Sequence, residues 1–321
     1  MFFKNMMMWL ILLTIFISFS SSSWFIFWLM MEMNLLLFIP ILNNKKIINS
    51  NLMITYFIIQ SFSSSLFFFS SLNFLILQSV LFKSIMNVSM MIKLALIPFH
   101  FWLTSLSEMI NFPSLFMLLT MQKLIPLFVL TNFLMKFMIF FILISSLLGS
   151  LLALNSKTFK KILIFSSISH QGWVLSLIFV KSNFWISYML IYSILIYKIS
   201  FLLKKMNFNY IMDFFNLNKN YSNKISLIFM MMSLGGMPPF LGFLIKLISI
   251  FFLIQNSSVT VTILIVSSMI NIFFYMRILT PTLFLNYLNT KNLFKNKTMN
   301  KNFIFNLNMI LCIFILNLMI I

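Results

Sequence analysis

The sequence predicts an all-α polytopic membrane protein: about eleven transmembrane helices in one bundle, two of them discontinuous, near Pro98 and near Pro238/Pro239. Three observations predict it. The 321 residues are 62% hydrophobic and 8% charged, against about 25% charged in a soluble domain. Nearly the whole chain divides into runs of the ~20 mostly apolar residues that a helix needs to cross a bilayer core. The alternating ~10-residue segments of a membrane β-barrel do not occur in it.

The predicted spans are 4–21, 24–42, 52–70, 77–103, 112–131, 134–154, 161–180, 184–203, 225–250, 258–285 and 303–321. The first lacks an Ala-x-Ala-type cleavage site and runs at once into the second, so it reads as a span and not as a cleaved signal. The second carries Glu32 near its middle, in "FWLMMEMNLLLFIP". The fourth, ninth and tenth are long enough to tilt, bend or break. In the fourth, Pro98 has no amide hydrogen, so the carbonyl of Leu94 loses its helical partner. Pro126 does the same to Gln122 in the fifth, and Pro238 and Pro239 to Leu234 and Gly235 in the ninth. The longest polar linkers, 204–224 and 286–302, are rich in Asn and Lys and too short for a soluble domain. Residues 1–321 therefore read as a single transmembrane domain.

A net charge of +19 can signal nucleic acid, but here the lysines sit between the apolar spans. With the N-terminus and the even-numbered loops taken as one side, that side carries fourteen lysines, from Lys4 to Lys301. The other side has three: Lys83, Lys136 and Lys181. This bias orients the chain by the positive-inside rule. Residue usage is skewed too, with Phe 43, Met 28, Gly 5 and Arg277 as the sole arginine. Residues with A/T-rich codons replace those with G/C-rich ones, which suggests an organelle-encoded inner-membrane subunit. Many Phe and Met then record mutational bias and are not read as binding residues.

Cys312 is the only cysteine, which excludes a disulfide or an iron–sulfur framework within this chain. Two histidines, His100 and His170, cannot supply the four axial ligands of a two-haem cytochrome. The sequence has no Gly-rich phosphate loop. A proton or cation translocator, an accessory structural subunit and a small-solute transporter remain open.

Ionisable residues inside spans are costly and commonly mark ion or proton paths. Glu32, Lys93, Lys123 and Lys246 are the candidates, with Lys198 and Arg277 near span ends, where long cations snorkel to the headgroups. Lys93, Lys123 and Lys246 each lie near a proline-freed carbonyl, and irregular backbone at membrane depth survives only inside protein or along a wet cavity. Broken helices with buried ionisable groups are a transporter device for midplane ion sites. A carboxylate near a buried lysine changes how firmly the lysine holds its proton, and Glu32, the one acid deep in a span, pairs with Lys93 in this reading. The same lysines also suit a purely structural role. His100 and His170 are each either packing groups or proton carriers. Glu108 reads as a loop-end residue and Asp213 as a solvated linker acid.

The stretches "EMNLLLFIP", "KLALIPFHFW", "QKLIP", "KKILIFSSISHQGW" and "SLGGMPPFLGFLIK" occur in this order over most of the chain. In them the sequence resembles the subunit 2 family of the mitochondrial NADH:ubiquinone oxidoreductase, complex I, an antiporter-like family. The resemblance implies an antiporter-like bundle that lacks the first three of fourteen helices, in agreement with eleven spans. It implies that Glu32 is the intramembrane glutamate and Lys93 its partner on the first broken helix. Lys123 would be the connecting lysine of a central hydrophilic axis, His170 a relay member, and Lys246 the lysine beside the second broken helix. The family usually has Pro-Glu after "HFW", where this chain has Thr104 and Ser105, with Glu108 further on. The implied function is proton translocation coupled to NADH-to-ubiquinone electron transfer in the inner mitochondrial membrane, with the N-terminus in the matrix. The implied partners are other antiporter-like and small membrane-arm subunits of complex I and membrane lipids, and no nucleic acid. FMN, iron–sulfur clusters and ubiquinone would belong to other parts of the complex, with no cofactor or metal in this chain. A stand-alone cation/proton antiporter and a purely structural membrane-arm subunit are the alternatives.

Overall fold

The computed structural model describes residues 2–42, 48–215, 221–255 and 258–293. Among them the chain forms thirteen α-helices and a short 3-10 turn at Ile211–Phe215. The one strand-like contact is an isolated bridge between Thr158 and Tyr210. The helices are α1 (Phe2–Ser20), α2 (Trp24–Leu42), α3 (Ile48–Leu77), α4 (Val80–Leu94), α5 (Phe101–Ser107), α6 (Phe112–Leu119) and α7 (Met121–Thr131). They continue with α8 (Met138–Leu154), α9 (Phe159–Phe179), α10 (Phe184–Met206), α11 (Tyr221–Gly235), α12 (Leu241–Ile254) and α13 (Ser258–Leu293).

Ten of the predicted spans correspond to a helix or a helix pair: α4–α5, α6–α7 and α11–α12 are pairs. Seven spans are each long and apolar enough to cross a membrane on their own. The predicted eleventh span, with Cys312, lies outside the described residues. The tenth runs further than the sequence suggests, as α13 continues to Leu293.

The distribution of side chains is that of a protein in lipid. Large apolar residues such as Trp9, Phe16, Leu81 and Phe251 point outward, while Ser, Asn, Gln and Lys are buried. Lipid is as apolar as the outward side chains, so close packing and satisfied polar groups hold the helices together. Buried serines answer their own helix: Ser145, Ser150, Ser166 and Ser249 each donate to the carbonyl three residues back.

Helix α9 is the axis of the bundle and is buried over nearly its whole length. It packs against α5, α6, α7, α8, α10, α12 and α13. Helices α1 to α4 follow one another as neighbours, with α7 against α1, α2 and α4. Thr158 starts α9 by accepting from the Lys161 amide at 3.4 Å.

Both predicted breaks occur. After α4, Ala95 adopts a left-handed conformation, with Ala95 N–H bonding to Ile92 and Leu96 N–H to Met91. After α11, Gly236 does the same at φ 86°, with bonds to Ser233 and, from Met237, to Met232. These paired bonds are a Schellman ending, which stops a helix cleanly. Each break contains a cis proline peptide, Ile97–Pro98 and Pro238–Pro239.

The fifth span differs from expectation. Its interruption falls at Thr120 (φ −118°, ψ −74°) and not around Pro126, which lies inside α7. Because α7 begins at Met121, the carbonyl that Pro126 deprives, that of Gln122, is already in the first turn. One bond is lost there without a second break.

The ends at the N-terminal side gather together. Lys4 donates to the Ile41 carbonyl at 3.2 Å, the Ile211 amide to Lys157 at 3.1 Å, and Arg277 to Leu154 at 2.9 Å. Lys161 pairs with Glu108 at 2.5 Å. All these residues belong to the side that carries the lysine excess in the sequence.

Candidate functional site

The three intramembrane lysines and His170 are buried inside the bundle: Lys93 is 7% exposed, Lys123 3%, Lys246 5% and His170 6%. Lys93 comes from the last turn of α4, Lys123 from the first turn of α7, His170 from mid-α9 and Lys246 from α12. Lys93 and Lys123 line one cavity of about 10 Å³, together with Tyr56, Gln60, Gln122 and Trp102. That is space for roughly one water, among enough polar groups to hold it.

Around this cavity the neutral polar groups are joined. Gln122 donates to Asn34 Oδ1 at 2.9 Å and accepts from the Tyr56 hydroxyl at 3.2 Å. Lys123 Nζ donates to Ser167 Oγ at 3.1 Å. In the amide orientation that satisfies both ends, Gln171 donates to the Leu94 carbonyl at 2.9 Å and accepts from Lys123 Nζ at 3.1 Å. The carbonyl that Pro98 frees is therefore answered by a side chain of α9. Trp102, from α5, closes the break by donating to the Ile92 carbonyl at 3.1 Å.

The second break has the same logic with a different donor. Lys246 Nζ donates to the Gly235 carbonyl at 2.7 Å, the group freed by Pro239. Gly236 and Gly242 make this possible. A Cβ on Gly242 would sit 1.7 Å from the Ser233 carbonyl oxygen, and one on Gly236 would sit 2.9 Å from Lys246 Nζ. His170 Nδ1 lies 2.8 Å from the Tyr188 hydroxyl. The ring is within reach of the Leu234 carbonyl, although Nε2 has no well-formed hydrogen bond. His170, Tyr188 and Tyr192 share a second cavity of about 10 Å³ with Ser233 and Leu234. The charges of both Lys123 and Lys246 act on His170.

Glu32 sits apart from this row. It is half-buried on α2 and accepts a hydrogen bond from Ser64 of α3. It makes no direct ion pair with Lys93 among the described residues, although its charge reaches that lysine. Helix α3 packs against both α2 and α4.

His100 is buried with its Nδ1 unpartnered, and its ring lies 4.3 Å from that of Phe101. Glu108 is engaged by Lys161 at the bundle's end, as its loop-end position implies. No group of three or more His, Cys, Asp or Glu that could hold a metal occurs among the described residues. Gln171, Gln122, Tyr56 and Ser167 do not stand out in the sequence, where neutral polar residues are common in the spans; the one signal was the place of Gln171 beside His170.

The chain is 51% identical over 313 residues to the NADH-ubiquinone oxidoreductase chain 2 of Rhipicephalus sanguineus, covering 98% of this chain and 99% of that one. This chain belongs to the NADH-ubiquinone oxidoreductase chain 2 family. The Anopheles gambiae member is 34% identical over 306 residues, covering 90% of each chain. Residues 21–271 match the family described as NADH:quinone oxidoreductase/Mrp antiporter, TM. Among solved structures, a chain of respiratory complex I from Thermus thermophilus superposes with a TM-score of 0.78 at 19% identity, covering 86% of this chain and 69% of that one. A chain of the archaeal membrane-bound sulfane sulfur reductase gives 0.76 at 16% identity, over 98% of this chain and 73% of that one. At such identities the likeness is one of fold.

Proposed function

We propose that this chain is a membrane-arm subunit of respiratory NADH:ubiquinone oxidoreductase and carries protons along Glu32, Lys93, Lys123, His170 and Lys246. Membership of the chain 2 family supports the first part. One observation carries the second: a buried polar side chain answers each helix break, with Gln171 linking the first break to Lys123 and Lys246 anchored on the second.

The chemistry follows from the geometry. Lys93 and Lys123 exchange a proton across the cavity they share, through the single water it has room for. Ser167 and the Tyr188-bound His170 carry the charge on towards Lys246. The position of Glu32, held by Ser64, sets how firmly Lys93 keeps its proton, so a displacement of α2 or α3 gates entry to the row. Like charges on Lys123, His170 and Lys246 oppose simultaneous protonation, which passes occupancy along the row.

Residues 1–321 act as one transmembrane domain in the inner mitochondrial membrane. The gathering of basic ends on one side supports an N-terminus in the matrix. Its partners are the neighbouring antiporter-like and small membrane-arm subunits. FMN, iron–sulfur clusters and ubiquinone are handled elsewhere in the complex.

The test uses Lys93→Met and Glu32→Gln in the assembled complex. Both are expected to lower coupled NADH:quinone turnover and the proton-to-electron ratio, while NADH oxidation by a soluble artificial acceptor is unchanged. Wild-type turnover and stoichiometry in both variants would sink the proposal.

A further inference from the structure

Glu32 and Asn34 are two residues apart on α2, a turn of about 200° around the helix, so they leave it on nearly opposite sides. Glu32 goes to α3, where Ser64 donates to it. Asn34, only 3% exposed, goes to α7, where its Oδ1 accepts from Gln122 Nε2 at 2.9 Å. The other end of the same amide returns to α3, with Gln122 Oε1 accepting from the Tyr56 hydroxyl at 3.2 Å. The two helices that hold Glu32 therefore also hold Gln122. Gln122 in turn precedes Lys123 in the first turn of α7.

That turn starts at an interruption. The backbone departs from helix at Thr120, whose hydroxyl and amide both bond back to the Phe116 carbonyl in α6. Beyond it, side-chain bonds tie the turn to its neighbours: Gln122 to α2 and α3, and Lys123 to Ser167 of α9 at 3.1 Å. Gln122 and Tyr56 also line the cavity that Lys93 and Lys123 share.

We propose that Gln122 is a positioning residue that ties Lys123 to the placement of Glu32. When α2 or α3 shifts, the amide carries the shift to the first turn of α7 and moves Lys123 relative to Ser167 and the shared cavity. Glu32 thus acts on Lys93 through its charge and on Lys123 through a chain of bonds. Hydrogen bonds between membrane helices also serve as ordinary glue, but glue needs no particular address. Here both partners of one amide belong to the helices that hold the acid, and the amide adjoins the base. The inference rests on the proton row proposed above.

The test scores variants in the complex, in inner-membrane vesicles, for coupled turnover, protons moved per electron and amount of complex. Gln122→Asn draws the amide back by one methylene from both partners. It is expected to lower coupled turnover several-fold and to reduce the proton-to-electron ratio, with the complex at its wild-type level. Asn34→Gln/Gln122→Asn gives that methylene back from the other side and should restore most of both, which a general loss of packing would not allow. Tyr56→Phe removes one hydroxyl, keeps the ring and should show a smaller loss of the same kind. Wild-type stoichiometry in Gln122→Asn and Tyr56→Phe, an exchange variant no better than Gln122→Asn alone, or a loss of complex that accounts for all the lost turnover would overturn the inference. Lys123→Met separates it from the row itself. A full proton yield in Lys123→Met would remove the row and the link together, whereas a lowered yield there beside unaffected Gln122 variants would remove the link alone.

Discussion

Lys246 Nζ donates at 2.7 Å to the carbonyl of Gly235, the group that Pro239 leaves without its helical amide. The break and the lysine are thus one unit: the irregular backbone supplies an acceptor and the titratable side chain satisfies it. Lys246→Met should leave that buried acceptor bare, at a cost of about 1–3 kcal/mol, and remove the end of the proton row. Coupled turnover is expected to fall several-fold with the complex still assembled. Lys246→Arg should rescue it poorly, since a planar guanidinium is larger than the ammonium packed beside Gly236 and cannot give up its proton. Proton-to-electron ratios decide the matter, and full activity in the arginine variant would refute the fit argued here.

At the first break the donor is neutral. Gln171 spans from the Leu94 carbonyl to Lys123, so its amide ties the broken α4–α5 pair to the next lysine of the row. Gln171→Leu keeps the volume and removes both bonds. Its expected signature is a loss of thermal stability worth about 1–3 kcal/mol, together with a lowered proton yield per electron. Gln171→Glu should behave differently, because a carboxylate still accepts from Lys123 but repels the Leu94 carbonyl oxygen. If Gln171→Leu matched the wild type in both melting temperature and stoichiometry, the amide bridge would have no role.

The contrast between these two residues shows what the sequence made legible. Lys246 stands out in "FLGFLIK" because a cation in an apolar span has few bland explanations. Gln171 does not, because neutral polar residues are common in these spans and most of the buried serines bond to their own helix. The breaks at Pro98 and Pro238/Pro239 were legible from the missing amide hydrogens. The same rule misplaced the interruption in the fifth span. Whether a proline breaks a helix depends on how far it lies from the helix start, and Thr120 set that start. Glu32 acts on Lys93 through its charge and makes no ion pair with it among the described residues. That arrangement depends on tertiary packing, which no spacing in the sequence encodes.

Ser64 holds Glu32 through a hydrogen bond between α3 and α2. A bond to a charged group is worth about 1.5–3 kcal/mol. Ser64→Ala should therefore release the carboxylate without removing its charge. Turnover is expected to fall less than in Glu32→Gln, and the double variant should be no worse than Glu32→Gln alone. A double-mutant cycle on coupled turnover measures this coupling. Strictly additive effects would mean that Ser64 acts elsewhere.

Gly242 lets the start of α12 approach the end of α11 so closely that a Cβ would lie 1.7 Å from the Ser233 carbonyl oxygen. Backbone cannot swing aside as a side-chain tip does, so Gly242→Ala must push the two helices apart. Overpacking of this kind costs typically 1–3 kcal/mol, and here it also withdraws Lys246 from Gly235. The expected result is a defect in both assembly and activity. Gly236→Ala forces a left-handed residue against Lys246 but leaves the α11–α12 contact, so it should spare assembly more than activity. Native gel electrophoresis of the complex, set beside NADH:quinone turnover, separates the two. Equal assembly loss in both would show that the break serves stability alone.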